Sequence, residues 1–204
     1  MGNIYSFSHV RTLFLCPYRL ELKRQQKQPM PLRALKSLAC PSTRIGYYAG
    51  KIKDKFSYRT EILNLASMMH NAKKRDGFLR FEIPVPNETY FTVDGTNVNF
   101  EDHPDLLIYF AGQDVPEAIV LTYDPELLAL DCSRAAFLQM SPWYKEIRVF
   151  TVWNLGEKNY ETPTSPDVYA KWVEQLETLR APRPHKDLCT KCSGKTYPCK
   201  YAQV

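Results

Sequence analysis

Three cysteines crowd the end of this chain: Cys189, Cys192 and Cys199 fall within eleven residues. Cys189-Thr-Lys-Cys192 puts two thiols on one tight turn. Gly194 and Pro198 lie in the six residues before Cys199 and let the chain fold back on itself. A soft metal ion or cluster wants four sulfur or nitrogen donors, so three thiolates call for a fourth from elsewhere. His185 is local and would complete a Cys3His zinc knuckle. Cys16 lies 173 residues before Cys189 and would complete a four-thiolate site that ties the two ends of the chain together. A disulfide framework is the competing reading, and it requires an oxidising compartment. The remaining cysteines, Cys40 and Cys132, have no partner at ligand spacing and read as small hydrophobes.

The rest of the 204 residues are ordinary for a globular chain, with 44% hydrophobic, 24% charged and 13% aromatic positions. That is enough to bury one core, and the expectation is a single domain over residues 1–204. No apolar run approaches the roughly 20 residues that span a bilayer. The opening residues MGNIYSFSHVRTLFLCPYRL show neither a signal peptide nor an anchor, which points to a cytoplasmic protein. Met1-Gly2 with Ser6 fits only the loose myristoylation pattern. The net charge of +5 hides a lopsided distribution. Residues 1–80 carry 16 Lys and Arg against 4 Asp and Glu, residues 81–144 carry 1 against 11, and residues 145–204 carry 10 against 7. The basic first part suits a polyanion-facing surface. The acidic middle suits either a divalent cation or a solvated face.

Along the chain, Ser8 is placed to cap a short helix through Leu15, and Pro17 to start a second over residues 17–26. Residues 27–57 read as a basic connection. Ile62, Leu65, Ala66 and Met69 recur at helical spacing, which predicts a helix over 58–75 with His70 on or beside its apolar face and a stop at Asp76-Gly77. Residues 1–77 thus form a basic helical part, followed by a sheet core over 78–153. Strands are expected at 78–85, 90–93, 106–110 and 118–123, then a helix over 133–139 stopped by Ser141-Pro142, and a strand over 147–153. Ser165-Pro166-Asp167 starts a last helix with the apolar stripe Val168, Trp172, Leu176 and Leu179. That helix and the cysteines make up a C-terminal part over 165–204. The order of elements predicts an α/β or α+β fold with a mixed sheet.

Ser6-Phe7-Ser8 with Cys16-Pro17-Tyr18-Arg19 resembles the opening of RecB-like nucleases of the PD-(D/E)XK superfamily. In its iron–sulfur members, such as the CRISPR-associated RecB-like exonucleases and the AddB-type nuclease subunits, one early cysteine joins a three-cysteine group at the C-terminus. Cys16 with Cys189, Cys192 and Cys199 is similar to that arrangement. The resemblance implies a restriction-endonuclease-like mixed central sheet flanked by helices, with its ends joined by a 4Fe–4S cluster on these four cysteines. It further implies that His70 and Asp105, in His103-Pro104-Asp105-Leu106-Leu107-Ile108, are catalytic and hold Mg²⁺ or Mn²⁺. Gln139 and Tyr144 would then contact DNA or brace the site.

The third motif of that superfamily departs here. Acid, any residue, lysine is expected on the next strand, where the second carboxylate completes the metal site and the lysine supports developing phosphate charge. The strand reads Glu117-Ala118-Ile119-Val120-Leu121-Thr122-Tyr123, with Val120 in place of the acid and Thr122 in place of the lysine. Valine cannot bind a hard cation. Glu117 falls on the opposite face from Val120, and Asp124 falls on the same face but about 13 Å further along.

Three functions follow as expectations. One is a metal-dependent DNA exonuclease whose centre is degenerate. The second is an inactive DNA-binding or scaffold subunit of a repair, recombination or CRISPR-related complex. The third is a zinc-knuckle protein using His185, Cys189, Cys192 and Cys199. In the first two the partner is nucleic acid, DNA before RNA, with further protein subunits and no membrane.

Overall fold

The computed structural model describes residues 5–15, 59–84, 88–93 and 96–178, and the elements below lie within them. They divide into two compact units.

The first unit contains β1 (Tyr5–Ser6), α1 (Phe7–Leu15), β3 (Glu88–Val93), β4 (Thr96–Glu101) and residues 171–178 of the last helix. Its sheet has the order β1–β4–β3. β3 and β4 pair antiparallel from Glu88 against Glu101 to Val93 against Thr96, and β1 adds parallel to β4 through Tyr5 and Phe100. Thr96–Glu101 reads TNVNFE, and its two asparagines are poor strand formers, so propensity hid β4 while pairing with β3 formed it. Ser6, not Ser8, is the residue just before α1. Its N–H and hydroxyl both lie at hydrogen-bond distance from His9 Nδ1, at 3.0 and 2.9 Å, so the His9 ring reaches back to the Ser6 N–H as a Glu side chain does in a capping box. Val10, Leu13, Phe100 and Val173 are fully buried, and Phe14 meets Trp172 edge to face at 5.5 Å.

The second unit carries the larger sheet, in the order β2–β5–β6–β7–β8. Its strands are β2 (Phe78–Glu82), β5 (Leu106–Phe110), β6 (Glu117–Thr122), β7 (Phe150–Asn154) and β8 (Asn159–Glu161). Only β6 and β7 run parallel; the other three pairings are antiparallel. A parallel pair needs a crossover, which α3 (Leu128–Met140) supplies. Asp124 begins it by accepting the Glu126 N–H at 3.1 Å on a short 3-10 turn, Pro125–Leu127. Cys132, Ala135 and Leu138 of α3 share an apolar cluster with Leu107, Ala118, Val120 and Val152 of the sheet. Every residue of β6 is buried, as expected of a central strand covered on both faces.

α2 (Arg59–Lys73) buries Ile62, Leu65, Ala66 and Met69, the stripe that its spacing predicts, together with Met68 and Ala72. It leads to Gly77 at φ +74, whose carbonyl accepts the Ala111 N–H at 2.7 Å. β7 starts three residues later than the periodicity suggests. Ile147 is held instead in successive turns, its N–H on the Tyr144 carbonyl and the Tyr144 N–H on that of Ser141. β8 has no signal of its own in the sequence. Asn154 creates it by accepting the Gly156 and Glu157 N–H groups on Oδ1, turning the chain back along β7. α4 (Asp167–Thr178) places its first turn in this unit.

Candidate functional site

Asp105 stands immediately before β5, where its own N–H donates to the Ile119 carbonyl at 2.9 Å and its Oδ2 accepts the Leu121 N–H at 2.7 Å. Asp105 is therefore held against β6 once through its own backbone and once through its carboxylate, and the residue is 4% exposed. Strand alternation puts Asp105 on the same face as Leu107, the face that α3 covers.

Onto that face α3 delivers Arg134, whose side chain is 1% exposed. Its Nε donates to both oxygens of Asp102 at 3.1 Å, and its Nη2 donates to Asp102 Oδ1 at 2.8 Å and to the His103 carbonyl at 2.6 Å. Its Nη1 donates to Asp105 Oδ2 at 3.1 Å. One guanidinium thus bridges two buried carboxylates and a main-chain carbonyl. Tyr169, in the first turn of α4, donates its hydroxyl to Asp102 Oδ2 at 2.6 Å, and the His103 N–H donates to Asp102 Oδ1 at 2.8 Å. Tyr169 is seated in turn by its N–H on Ser133 Oγ at 2.9 Å and by the Phe137 ring.

The electrostatics follow from this arrangement. Burial alone would pull the Arg134 pKa down, but the charges of Asp102 and Asp105 outweigh it and hold that pKa well above the usual value. Burial and the Asp102 charge push the Tyr169 phenol well above its usual range, so it stays a hydrogen-bond donor. Two carboxylates and one guanidinium leave a formal charge of −1, spread over the N–H and O–H donors of His103, Leu121 and Tyr169.

Asp105 was expected at a catalytic centre; its partners Asp102, Arg134 and Tyr169 were not. One sequence signal does point to Arg134: it is the lone Lys or Arg in residues 81–144, set among 11 acids. A single cation amid that many carboxylates is the one they compete for. His70 is exposed on α2, and among the described residues no hydrogen bond or ion pair links it to Asp105. Nor is any group of three or more His, Cys, Asp or Glu side chains gathered at ligand distance among those residues. Gln139 is half-buried near the end of α3. Tyr144 is 5% exposed within the apolar cluster.

On β6, Val120 is fully buried in the same cluster, and Thr122 is 1% exposed with its hydroxyl 3.5 Å from the Asp124 carbonyl. Glu117 does lie on the opposite face, where Arg75 grips it with two bonds of 2.7 and 2.6 Å. Asp124 is used as the cap described above. Mg²⁺ and Mn²⁺ require oxygen ligands at about 2.0–2.2 Å and several retained waters. Around Asp105 stand guanidinium and amide donors and the apolar Val120, which do not fit such an ion.

Cys16, Cys40, Cys189, Cys192, Cys199 and His185 lie outside the described residues. Cys132 is buried in the apolar cluster. Burial, with Glu161 and Asp131 nearby, pushes its thiol up to about 11, as suits an inert hydrophobe.

Among the described residues, then, the fold is mixed α/β. A mostly antiparallel five-stranded sheet is flanked by helices, and one face holds a buried carboxylate–guanidinium–phenol cluster. No family model matches the chain, and no curated protein matches it. Among solved structures, one described as "Crystal structure of SSO0001" aligns over 97% of this chain and 100% of that chain, at 15% identity and a TM-score of 0.44. At that distance the likeness says nothing about activity. No described helix is long and apolar enough to cross a membrane.

Proposed function

We propose that this chain is a nucleic-acid-binding module of RecB-like, restriction-endonuclease-like type that has kept the nuclease scaffold and lost the cleavage centre. It would serve as a DNA-binding or scaffold subunit within a larger assembly. The observation that carries the reading is the state of Asp105. In the carboxylate that the resemblance assigns to a catalytic metal, Oδ2 is taken by Arg134 and the Leu121 amide, and the position of the second acid is the buried Val120. Hydrolysis by a bound divalent ion needs carboxylates free to hold it and a polarised water. Neither requirement is met by a guanidinium and an isopropyl group.

Binding is supported by the excess of 16 Lys and Arg over 4 Asp and Glu in residues 1–80. The donor set Cys16, Cys189, Cys192 and Cys199 suits a 4Fe–4S cluster, which would act as a structural tie between the ends of the chain.

The test pairs a binding measurement with a turnover measurement. Fluorescence anisotropy with a labelled single-stranded or duplex DNA is expected to show affinity that falls steeply between 50 and 200 mM salt, as about Z released counterions for Z phosphate contacts require. The same DNA incubated with Mg²⁺ or Mn²⁺ is expected to stay intact. Cleavage that disappears in Asp105→Ala would overturn the reading in favour of an active nuclease. Binding indifferent to salt would remove the phosphate-tracking surface.

A further inference from the structure

We infer that β2 is a self-pairing edge, through which two copies of this chain join antiparallel about a twofold axis at Phe81 and merge their five-stranded sheets into one. The inference goes beyond the nucleic-acid reading and does not rest on it.

Among the described residues β2 is an end strand of its sheet, paired with β5 on one side only. Such an edge is a template for another strand, and proteins usually blunt it with charge. β2 carries one cation and one anion, Arg80 and Glu82, whose side chains are 59% and 45% exposed. Their cross-strand partners are Tyr109 and Leu107, and the Arg80 guanidinium lies 4.0 Å from the centre of the Tyr109 ring, so both charges stand on the face that α3 covers. Within one copy they meet poorly. Arg80 Nε and Nη2 reach Glu82 Oε2 only at 3.4 Å, against about 2.7–2.9 Å for a good charge-assisted bond.

A second β2 supplies better partners. In an antiparallel pair with its twofold at Phe81, Arg80 of each copy stands directly opposite Glu82 of the other, and two ion pairs form on one face. On the other face Phe81 meets its own copy, backed by the Phe78 ring at 4.9 Å. Leu79, 57% exposed, falls opposite Ile83. The neighbouring registers fail. Twofold symmetry sets side chains of like face against each other, so the next registers are centred on Arg80 or on Glu82. The first puts Arg80 against Arg80. The second puts Glu82 against Glu82 and brings Arg80 opposite Pro84, which has no N–H to donate. The same two charges thus favour one register of one partner and oppose the others. The contact is short, bounded by the register shift between Phe78 and Arg80 at one end and by Pro84 at the other. The dimer is therefore a reversible one, set by concentration.

The experiment is sedimentation equilibrium over a concentration series of the full chain, without nucleic acid. It compares wild type, Arg80→Glu, Glu82→Arg and an equimolar mixture of the two variants. Wild type is expected to dimerise with a midpoint below about 100 µM. Each single reversal sets like charges opposite each other in both pairs and should weaken dimerisation at least roughly tenfold. In the mixture the charges are complementary again, because one variant presents two acids and the other two cations. A heterodimer should form there at close to the wild-type affinity, a recovery that a merely damaged variant would not show. Amide hydrogen exchange on wild type alone gives a second reading: the amides of residues 79–83 that point away from β5 should gain protection as concentration rises. If both variants fail to fold, that reading decides. The inference is overturned if wild type is monomeric at about 100 µM, which would leave the edge to a strand of a different protein. It is overturned equally if neither reversal weakens self-association, if mixing restores nothing, or if exchange in residues 79–83 ignores concentration.

Discussion

At the scale of single residues, Asp102, Asp105 and Arg134 form one connected group of buried charges. Asp102 accepts from Arg134, Tyr169 and the His103 amide at once, so removing any one donor leaves a desolvated carboxylate short of partners. Tyr169→Phe, which deletes one hydroxyl and keeps the ring on Phe137, is expected to cost about 1–3 kcal/mol in urea unfolding. Asp102→Asn, which leaves the guanidinium partly unpaired, should cost more, about 3–5 kcal/mol. A smaller loss for the asparagine variant than for the phenylalanine one would mean the ion pair is less well desolvated than its burial indicates. His9 offers a different residue-scale effect. Burial lowers its pKa from the ordinary 6.5, and its Nδ1 must stay unprotonated to accept the Ser6 N–H. The unfolded chain therefore takes up a proton more readily than the folded one. The stabilisation is fully present above pH 6.5 and is lost as pH falls from there through the lower folded pKa. His9→Gln keeps a capping-box acceptor without the titration. The melting temperature of wild type should accordingly fall relative to His9→Gln between pH 7 and pH 5. Parallel curves would show that His9 has the same pKa in the fold as in the unfolded chain.

At the scale of elements, turns decide where helices and strands stop. Gly77 and Gly112 both adopt left-handed φ, +74 and +76, beside the β2–β5 pair. At Gly77 a Cβ would meet the Ala111 N and O at 3.4 Å, while at Gly112 it would meet nothing within 4 Å. Both alanine variants bear the left-handed penalty of about 1–2 kcal/mol. Gly77→Ala should bear the larger loss, because it also strains the 2.7 Å bond from Ala111 to the Gly77 carbonyl. Comparing chemical denaturation midpoints of the two variants reads this directly, and equal losses would place the whole effect in φ. The helices were the most legible elements. The stripe on α2 and the Ser141-Pro142 stop of α3 follow from local spacing and breakers alone. β4 and β8 were not legible, because an Asn-rich strand and a three-residue strand exist only through the partners that accept their hydrogen bonds.

At the scale of the whole molecule, the open quantity is what the terminal cysteines hold. Anaerobic purification followed by measurement of iron, acid-labile sulfide and zinc is expected to find a brown protein with iron and sulfide, lost in Cys16→Ala. A colourless zinc protein indifferent to Cys16→Ala would instead favour a knuckle of His185, Cys189, Cys192 and Cys199 and would remove the RecB-like reading. Charge organises the chain on the same scale. The basic residues of 1–80 outnumber acids fourfold, while the acidic stretch 81–144 keeps its one cation inside the fold. An acidic segment with no positive residue at its surface gives a phosphate backbone nothing to pair with, so nucleic-acid contact is expected from residues 1–80.

Read alone, the sequence determined the mixed α/β class, the apolar face of α2 and the absence of an acid at Val120. Each of these depends on neighbours within a few residues, where helical or strand periodicity is enough to decide which way a side chain points. Only the tertiary structure decided that Asp105 is held by Arg134, that Asp102 and Tyr169 complete the cluster, and that Tyr144 is interior. Those partners lie 29 residues from Asp105 and 32 and 67 residues from Asp102 along the chain. Which carboxylate captures a buried guanidinium depends on how α3 crosses the sheet, a matter of packing that no local pattern encodes.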